Sequence, residues 1–167
     1  MAEAKTGNPA ALAALYEGHR DRVYDLAFAL TGNHEDAEDV RQMTFVRAFL
    51  GLGKFRGESA FRTWLVRICV NTGRSARRPA VRRAEPVALQ QDCVDPGAEA
   101  HRRLRAEEIR RRIASLPRWA AELIALCDLQ GLSYREIAGV LGCSCGGIGP
   151  RLHRARRMLK ERLEGLA

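Results

Sequence analysis

Between residues 61 and 72, Phe61, Trp64, Leu65, Ile68, Cys69 and Thr72 fall at i, i+3, i+4, i+7, i+8 and i+11. This is the stripe of an amphipathic α-helix, and no segment alternates apolar and polar residues as a half-buried strand would. The same rhythm runs through Leu12, Leu15, Tyr16, Val23, Leu26 and Leu30, preceded by Asn8 as a cap and Pro9 as a first helical residue and ended by Thr31-Gly32. Asn33, with Asp36 three positions on, resembles a capping box in which Asp replaces the usual Glu. Ala37, Val40, Thr44, Phe45 and Phe49 then supply the apolar face of a second helix, stopped by Gly51 and Gly53. Ser59 is expected to cap the third helix, from about residue 60 to 78. The fold class expected is all-α.

With 167 residues, the chain has room for one large domain or two small ones. Its 46% hydrophobic residues are enough to build cores. Net charge divides it unevenly: −5 over 1–40, +9 over 41–85, −3 over 86–101 and +7 over 102–167. Two basic surfaces separated by an acidic connector suggest a polyanionic partner, and 25 of the 28 cations are Arg, the side chain suited to bidentate phosphate contacts. Pro79, Pro86, Pro96 and Gly97 mark that connector. Two small helical domains, 1–78 and 102–167, joined by a flexible linker over 79–101, are therefore expected. No apolar run approaches the roughly 18–20 residues that span a bilayer, and the first residues do not read as a signal peptide, so a cytoplasmic location is expected. The five cysteines, Cys69, Cys93, Cys127, Cys143 and Cys145, are an odd set better read as reduced thiols than as a disulfide framework.

On the third helix Arg67, Asn71, Arg74 and Arg78 are spaced by four, three and four and share a face beside the apolar stripe. Such a face can hold phosphates and read base edges, or it can simply be solvated. The preceding loop, with Lys54, Phe55 and Arg56 between glycines, combines cations and an aromatic ring as single-strand binding does. Phe61 and Trp64 read as core.

The C-terminal half opens a helix with a capping box, Ser133 and Glu136, and closes it at Gly142. Ala138, Gly142 and Ile148 then meet the needs of a helix-turn-helix: a small residue at the crossing, a glycine in the turn and an aliphatic packing back. Arg151, Arg154, Arg156, Arg157, Lys160 and Arg162 follow on one helix, with Leu152, Ala155, Leu159 and Leu163 on its other side. A helix docking in a major groove needs such phosphate-facing charge.

Three stretches, LYEGHRDRVYDLAFALTGNHEDAEDVRQMTF, FRGESAFRTWLVRICVN and SLPRWAAELIALCDLQGLSYREIAGVLGCS…RLHRARRMLKERL, together resemble bacterial sigma factors of the extracytoplasmic-function type. The resemblance implies a sigma-2-like bundle followed by a sigma-4-like helix-turn-helix domain. It also implies a subunit that binds core RNA polymerase, recognises the minus-10 and minus-35 promoter elements and helps open the DNA, commonly under control of an anti-sigma factor. By position, Asp36, Glu38, Asp39, Gln42 and Phe45 become candidates for the polymerase contact, where Met43 departs from the family's usual Glu. Lys54, Phe55, Arg56, Ser59, Arg62, Arg67, Asn71, Arg74, Arg77 and Arg78 become candidates for minus-10 DNA, and Tyr134, Arg135, Ser144, Arg151, Arg154 and Arg157 for minus-35 DNA. Ser144-Cys145-Gly146-Gly147-Ile148-Gly149-Pro150 also departs from the family pattern. Its glycines and proline oppose a regular helix from 145, and favour Gly149 as cap with Pro150 as first helical residue.

The resemblance implies no enzyme and no cofactor, and the chain carries no P-loop, HExxH or nucleophile elbow. Two other readings stand beside it. A free-standing helix-turn-helix regulator would leave the N-terminal half without a purpose. A thiol or zinc sensor would use Cys143 and Cys145 with His153, but lacks a second close cysteine pair.

Overall fold

The computed structural model describes residues 1–76 and 98–164, all-helical among these residues, so the connector's cysteine, Cys93, and the candidates Arg77 and Arg78 lie outside it. In chain order the helices are α1 (Ala2–Lys5), α2 (Pro9–Thr31), α3 (His34–Gly51), α4 (Phe61–Ala76), α5 (Ala98–Ala114), α6 (Arg118–Ile124), α7 (Tyr134–Leu141) and α8 (Ile148–Glu164). Short 3-10 turns at Leu52–Lys54 and Cys145–Gly147 precede the basic loop and α8, and a π-helical turn at Ala125–Leu129 prolongs α6. The last residues assigned to the connector, 98–101, are the first turn of α5. None of the described helices is long and apolar enough to cross a membrane.

The helix ends show why these segments fold locally. Asn8 Oδ1 accepts from the amides of Ala10 and Ala11, and Pro9 sits where no intrahelical donor is needed. Asn33 Oδ1 accepts from Asp36 N at 2.8 Å, but the return bond runs from Asn33 Nδ2 to Asp36 Oδ2 at 2.7 Å. Asp, one methylene shorter than Glu, meets the cap's side chain instead of its backbone. Ser133 and Glu136 form the full box, with Ser133 N donating to Glu136 Oε2 at 2.9 Å. At α4 the expectation fails: Ala60 O accepts the first helical bond, from Trp64 N, while Ser59 Oγ only donates to Ala60 O. Ala60 therefore holds the cap position.

Helix α2 explains how the halves join. Leu26, Ala27, Phe28, Ala29 and Leu30 are consecutive and all buried, which needs partners on every side. Helices α3 and α4 cover one side, and α5, α6 and the π-turn cover the other. Leu26, Leu65 and Val70 thus share one hydrophobic cluster with Ile113, Leu126, Ile137 and Leu152. Close approach of α4 to α2 depends on Gly73, where a Cβ would meet Leu30 Cδ1 at 3.0 Å. The helix-turn-helix forms as its spacing predicts, with Ala138 buried, Gly142 left-handed at φ +70° and Ile148 fully buried.

Candidate nucleic-acid interface

The cationic face of α4 forms as expected, with Arg67, Asn71 and Arg74 exposed, but its arginines also reach the C-terminal half. Arg74 donates to Glu122 Oε1 on α6 from Nε at 3.2 Å and Nη2 at 2.9 Å. Arg67 Nη2 donates to Gly139 O on α7 at 3.2 Å, and Arg62 Nη2 reaches Gly131 O at 3.5 Å. Beneath them the buried Thr63 donates from Oγ1 to Glu136 Oε1 at 2.6 Å. This bond, with those from the Ser133 cap, holds the Glu136 carboxyl below its usual range. Three of the residues assigned to minus-10 DNA, Arg62, Arg67 and Arg74, thus donate to the half that carries the helix-turn-helix. Asn71 stays exposed on the same face.

On the opposite flank Arg110 of α5 donates from Nε to Asp25 Oδ1 of α2 at 2.6 Å, and Gln130 Nε2 donates to Arg22 O at 2.7 Å. Burial raises the Asp25 carboxyl above its ordinary value despite the Arg110 charge, so this ion pair is held at a desolvation cost.

The basic loop divides its candidates. Lys54, Arg56 and Ser59 are exposed, whereas the Phe55 ring packs against Trp64 at 5.0 Å and Phe61 at 6.0 Å between centroids. Lys5 closes over that ring and donates to Phe55 O at 2.7 Å. Phe55 joins an aromatic cluster, a placement its position between glycines did not disclose.

On α3 the polymerase candidates also separate. Asp39 and Gln42 are exposed beside a groove that includes Met43, Val46, Arg47 and Thr72. Asp36 is tied to Asn33, and Glu38 is paired with Arg41. Phe45 is a correction to the expected contact set: it is buried, edge-on to Tyr16 at 4.7 Å, and belongs to the core. Met43, Val46 and Leu50 form an exposed apolar row in its place, Leu50 at 82% exposure. Their spacing of three and four, legible in the sequence, puts them on one side of α3 away from the buried face.

Helix α8 starts at Ile148, one residue before the expected Gly149 cap and two before Pro150, which lies third in the helix. The first turn has unpaired amides in any case, so proline fits there. Tyr134, Arg135, Ser144, Arg151, Arg154 and Arg157 are all exposed on this end and flank of the helix-turn-helix. Arg154 lies over the Trp119 ring at 5.6 Å, and Arg156 is bound by Asp128, which fastens α8 to the π-turn. Cys143, Cys145 and His153 form no metal cluster, as no group of three His, Cys, Asp or Glu side chains among the described residues could hold an ion.

Among the described residues the chain is all-helical, in two regions, the second built on a helix-turn-helix of the kind that docks on DNA. Residues 15–83 match the Sigma-70 region 2 family and residues 106–159 the Sigma-70 region 4 family. The ECF RNA polymerase sigma factor SigE of Mycolicibacterium smegmatis is 36% identical over 167 residues, covering 95% of this chain and 65% of that protein. The chain therefore spans about two thirds of that relative's length. The ECF RNA polymerase sigma-E factor of Escherichia coli K12 is 35% identical over 146 residues, 78% of this chain and 75% of the relative. Among solved structures, CnrH in complex with the cytosolic domain of CnrY superposes with a TM-score of 0.72 at 30% identity, over 99% of this chain and 96% of that one. RpoE of Bartonella quintana, solved with the anti-sigma factor NepR, shares the fold with a TM-score of 0.71 at 23% identity, over 93% and 98% of the two chains. The chain belongs to the extracytoplasmic-function sigma factors of the sigma-70 family.

Proposed function

We propose that this chain is a non-catalytic initiation subunit that binds core RNA polymerase, directs it to promoters and helps open the minus-10 DNA. The observation that carries the reading is the order of its parts. An α3 surface with acidic and apolar residues precedes a cationic loop and helix, and a basic helix-turn-helix follows. Exposed Asp39 and Gln42, with the Met43, Val46 and Leu50 row, supply a mixed polar and apolar docking face for the polymerase. Lys54, Arg56, Arg62, Arg67, Asn71 and Arg74 supply the minus-10 face, where guanidinium groups hold phosphates and the Asn71 amide can reach a base.

Because Arg62, Arg67 and Arg74 are engaged by the C-terminal half, this arrangement is a resting form. DNA engagement requires the halves to part, and polymerase binding supplies the free energy for it. A protein that holds the halves together, an anti-sigma factor, would keep the subunit inactive. The test is run-off transcription with purified core polymerase on fragmented host DNA. Discrete transcripts that require the chain support the reading, and core polymerase giving the same products without it refutes the reading.

A further inference from the structure

We propose that the helix-turn-helix of this chain grips the minus-35 DNA through its phosphates and leaves the base edges there unread, so that promoter choice rests on the N-terminal half. The inference rests on the promoter-binding function proposed above. In a helix-turn-helix the N-terminal residues of the second helix meet the base edges, and hydrogen-bonded discrimination needs side-chain donors and acceptors at those positions. Here the turn ends in Gly146 and Gly147, and the helix opens with Ile148, Gly149 and Pro150 ahead of Arg151. Ile148 is fully buried, and the other four carry no polar side chain. Gly146, Gly147 and Pro150 are exposed, so a surface without side-chain donors or acceptors faces outward where a reading surface would lie.

The fold does not require these glycines. None of the three has a positive φ. A Cβ at Gly146 would meet nothing within 4 Å; at Gly147 the nearest atom is Ser144 Oγ at 3.7 Å, and at Gly149 it is Tyr134 Cε2 at 3.6 Å. All of this is open space or ordinary contact. Glycine also lowers helix stability, so neither packing nor propensity accounts for its use here. What remains exposed at this end is suited to phosphates. The Ser144 and Tyr134 hydroxyls can donate or accept and so distinguish bases poorly. Arg151, the first polar side chain of the helix, is followed at intervals of three by Arg154 and Arg157, exposed guanidinium groups suited to phosphates.

The experiment uses the full chain with core polymerase on a template it transcribes, with either the minus-35 or the minus-10 hexamer randomised, and sequences the templates that yield transcript. The expected result is strong enrichment at minus-10 and input base frequencies at minus-35. Arg151→Ala should lower transcript yield evenly across the minus-35 library and weaken its salt dependence. Gly147→Thr and Gly149→Lys, which the backbone accommodates, should introduce base preference at one or two minus-35 positions. Enrichment at minus-35 comparable to that at minus-10 for the unmodified chain would overturn this inference alone. Failure to initiate on any template would overturn the proposed function, and this inference with it.

Discussion

Arg74 and Glu122 lie 48 residues apart in sequence, and the guanidinium of the first donates twice to one carboxylate oxygen of the second, at 3.2 and 2.9 Å. Glu122 is only 7% exposed, so this is the buried anchor of the contact between the halves. Removing the arginine leaves a buried carboxylate without this partner, whereas Glu122→Gln keeps an acceptor. Arg74→Ala is expected to cost about 1–3 kcal/mol. Partial exposure of Arg74, 37% at its side chain, places the loss toward the lower end. Glu122→Gln should cost less. Urea denaturation of the two variants checks the order, and equal stability of Arg74→Ala and the unmodified chain would contradict it.

The Thr63–Glu136 bond has a signature in acid. A carboxyl whose folded-state pKa lies below its unfolded value contributes stability above the unfolded value and loses it as pH falls through the folded one. Glu136 is lowered from 4.5, chiefly by Thr63, so its contribution is complete at neutral pH and fades below that value. Asp25 is raised from 3.8 by burial and has the opposite sign: its ionised form opposes folding, and acidification relieves that cost. NMR titration of Glu136 should show a low midpoint that moves up in Thr63→Val. An unmoved midpoint would mean that the threonine does not set it.

Thiol chemistry should separate the cysteines. Cys69 is fully buried beside Val23 O, and burial pushes its thiol up to about 12, so it stays protonated across the neutral range. Cys143 and Cys145 are exposed. Brief iodoacetamide treatment of the folded protein followed by peptide mass spectrometry should label Cys143 and Cys145 and spare Cys69. Labelling of Cys69 at a similar rate would show that the core opens far more readily than its packing implies.

The apolar row on α3 can be tested apart from stability. Leu50→Ser and Val46→Ser change side chains that are 82% and 51% exposed, so the fold should shift by no more than about 0.5 kcal/mol. Each should weaken association with core polymerase roughly tenfold, about 1.4 kcal/mol. Unchanged binding by both variants in a pull-down titration would remove this row from the docking face.

Helix existence was legible because each signal is local. Asn8, the Ser133–Glu136 box and Gly142 act within four residues, and the 61–72 stripe shows its own period. The helix-turn-helix was legible for the same reason. What could not be read depends on partners distant in sequence. Phe45 and the exposed Met43 share one helix, and only packing against Tyr16 decides which side is core. Arg67 and Arg74 read as a DNA face from their spacing, and Arg62 by resemblance, because nothing local to them discloses Glu122, Gly131 or Gly139. The all-round burial of residues 26–30 was the available hint, since five consecutive apolar positions on one helix demand a second layer that the N-terminal half alone does not supply. At α8 the helix starts two residues before the expected Pro150, because burial of Ile148 outweighs the local preference for Gly149 as cap.

In the free protein the arginines of the minus-10 face are tied to the chain's own C-terminal half, and entry into the polymerase is expected to release them. Resonance energy transfer between dyes at Glu58 in the loop and Arg135 on α7, both exposed and introduced without using the native thiols, measures this directly. The free protein should show a single high-transfer population, replaced on addition of core polymerase by a low-transfer one, with Arg74→Ala shifting the free protein toward the latter. An unchanged high-transfer signal in a complex that initiates transcription would contradict the account.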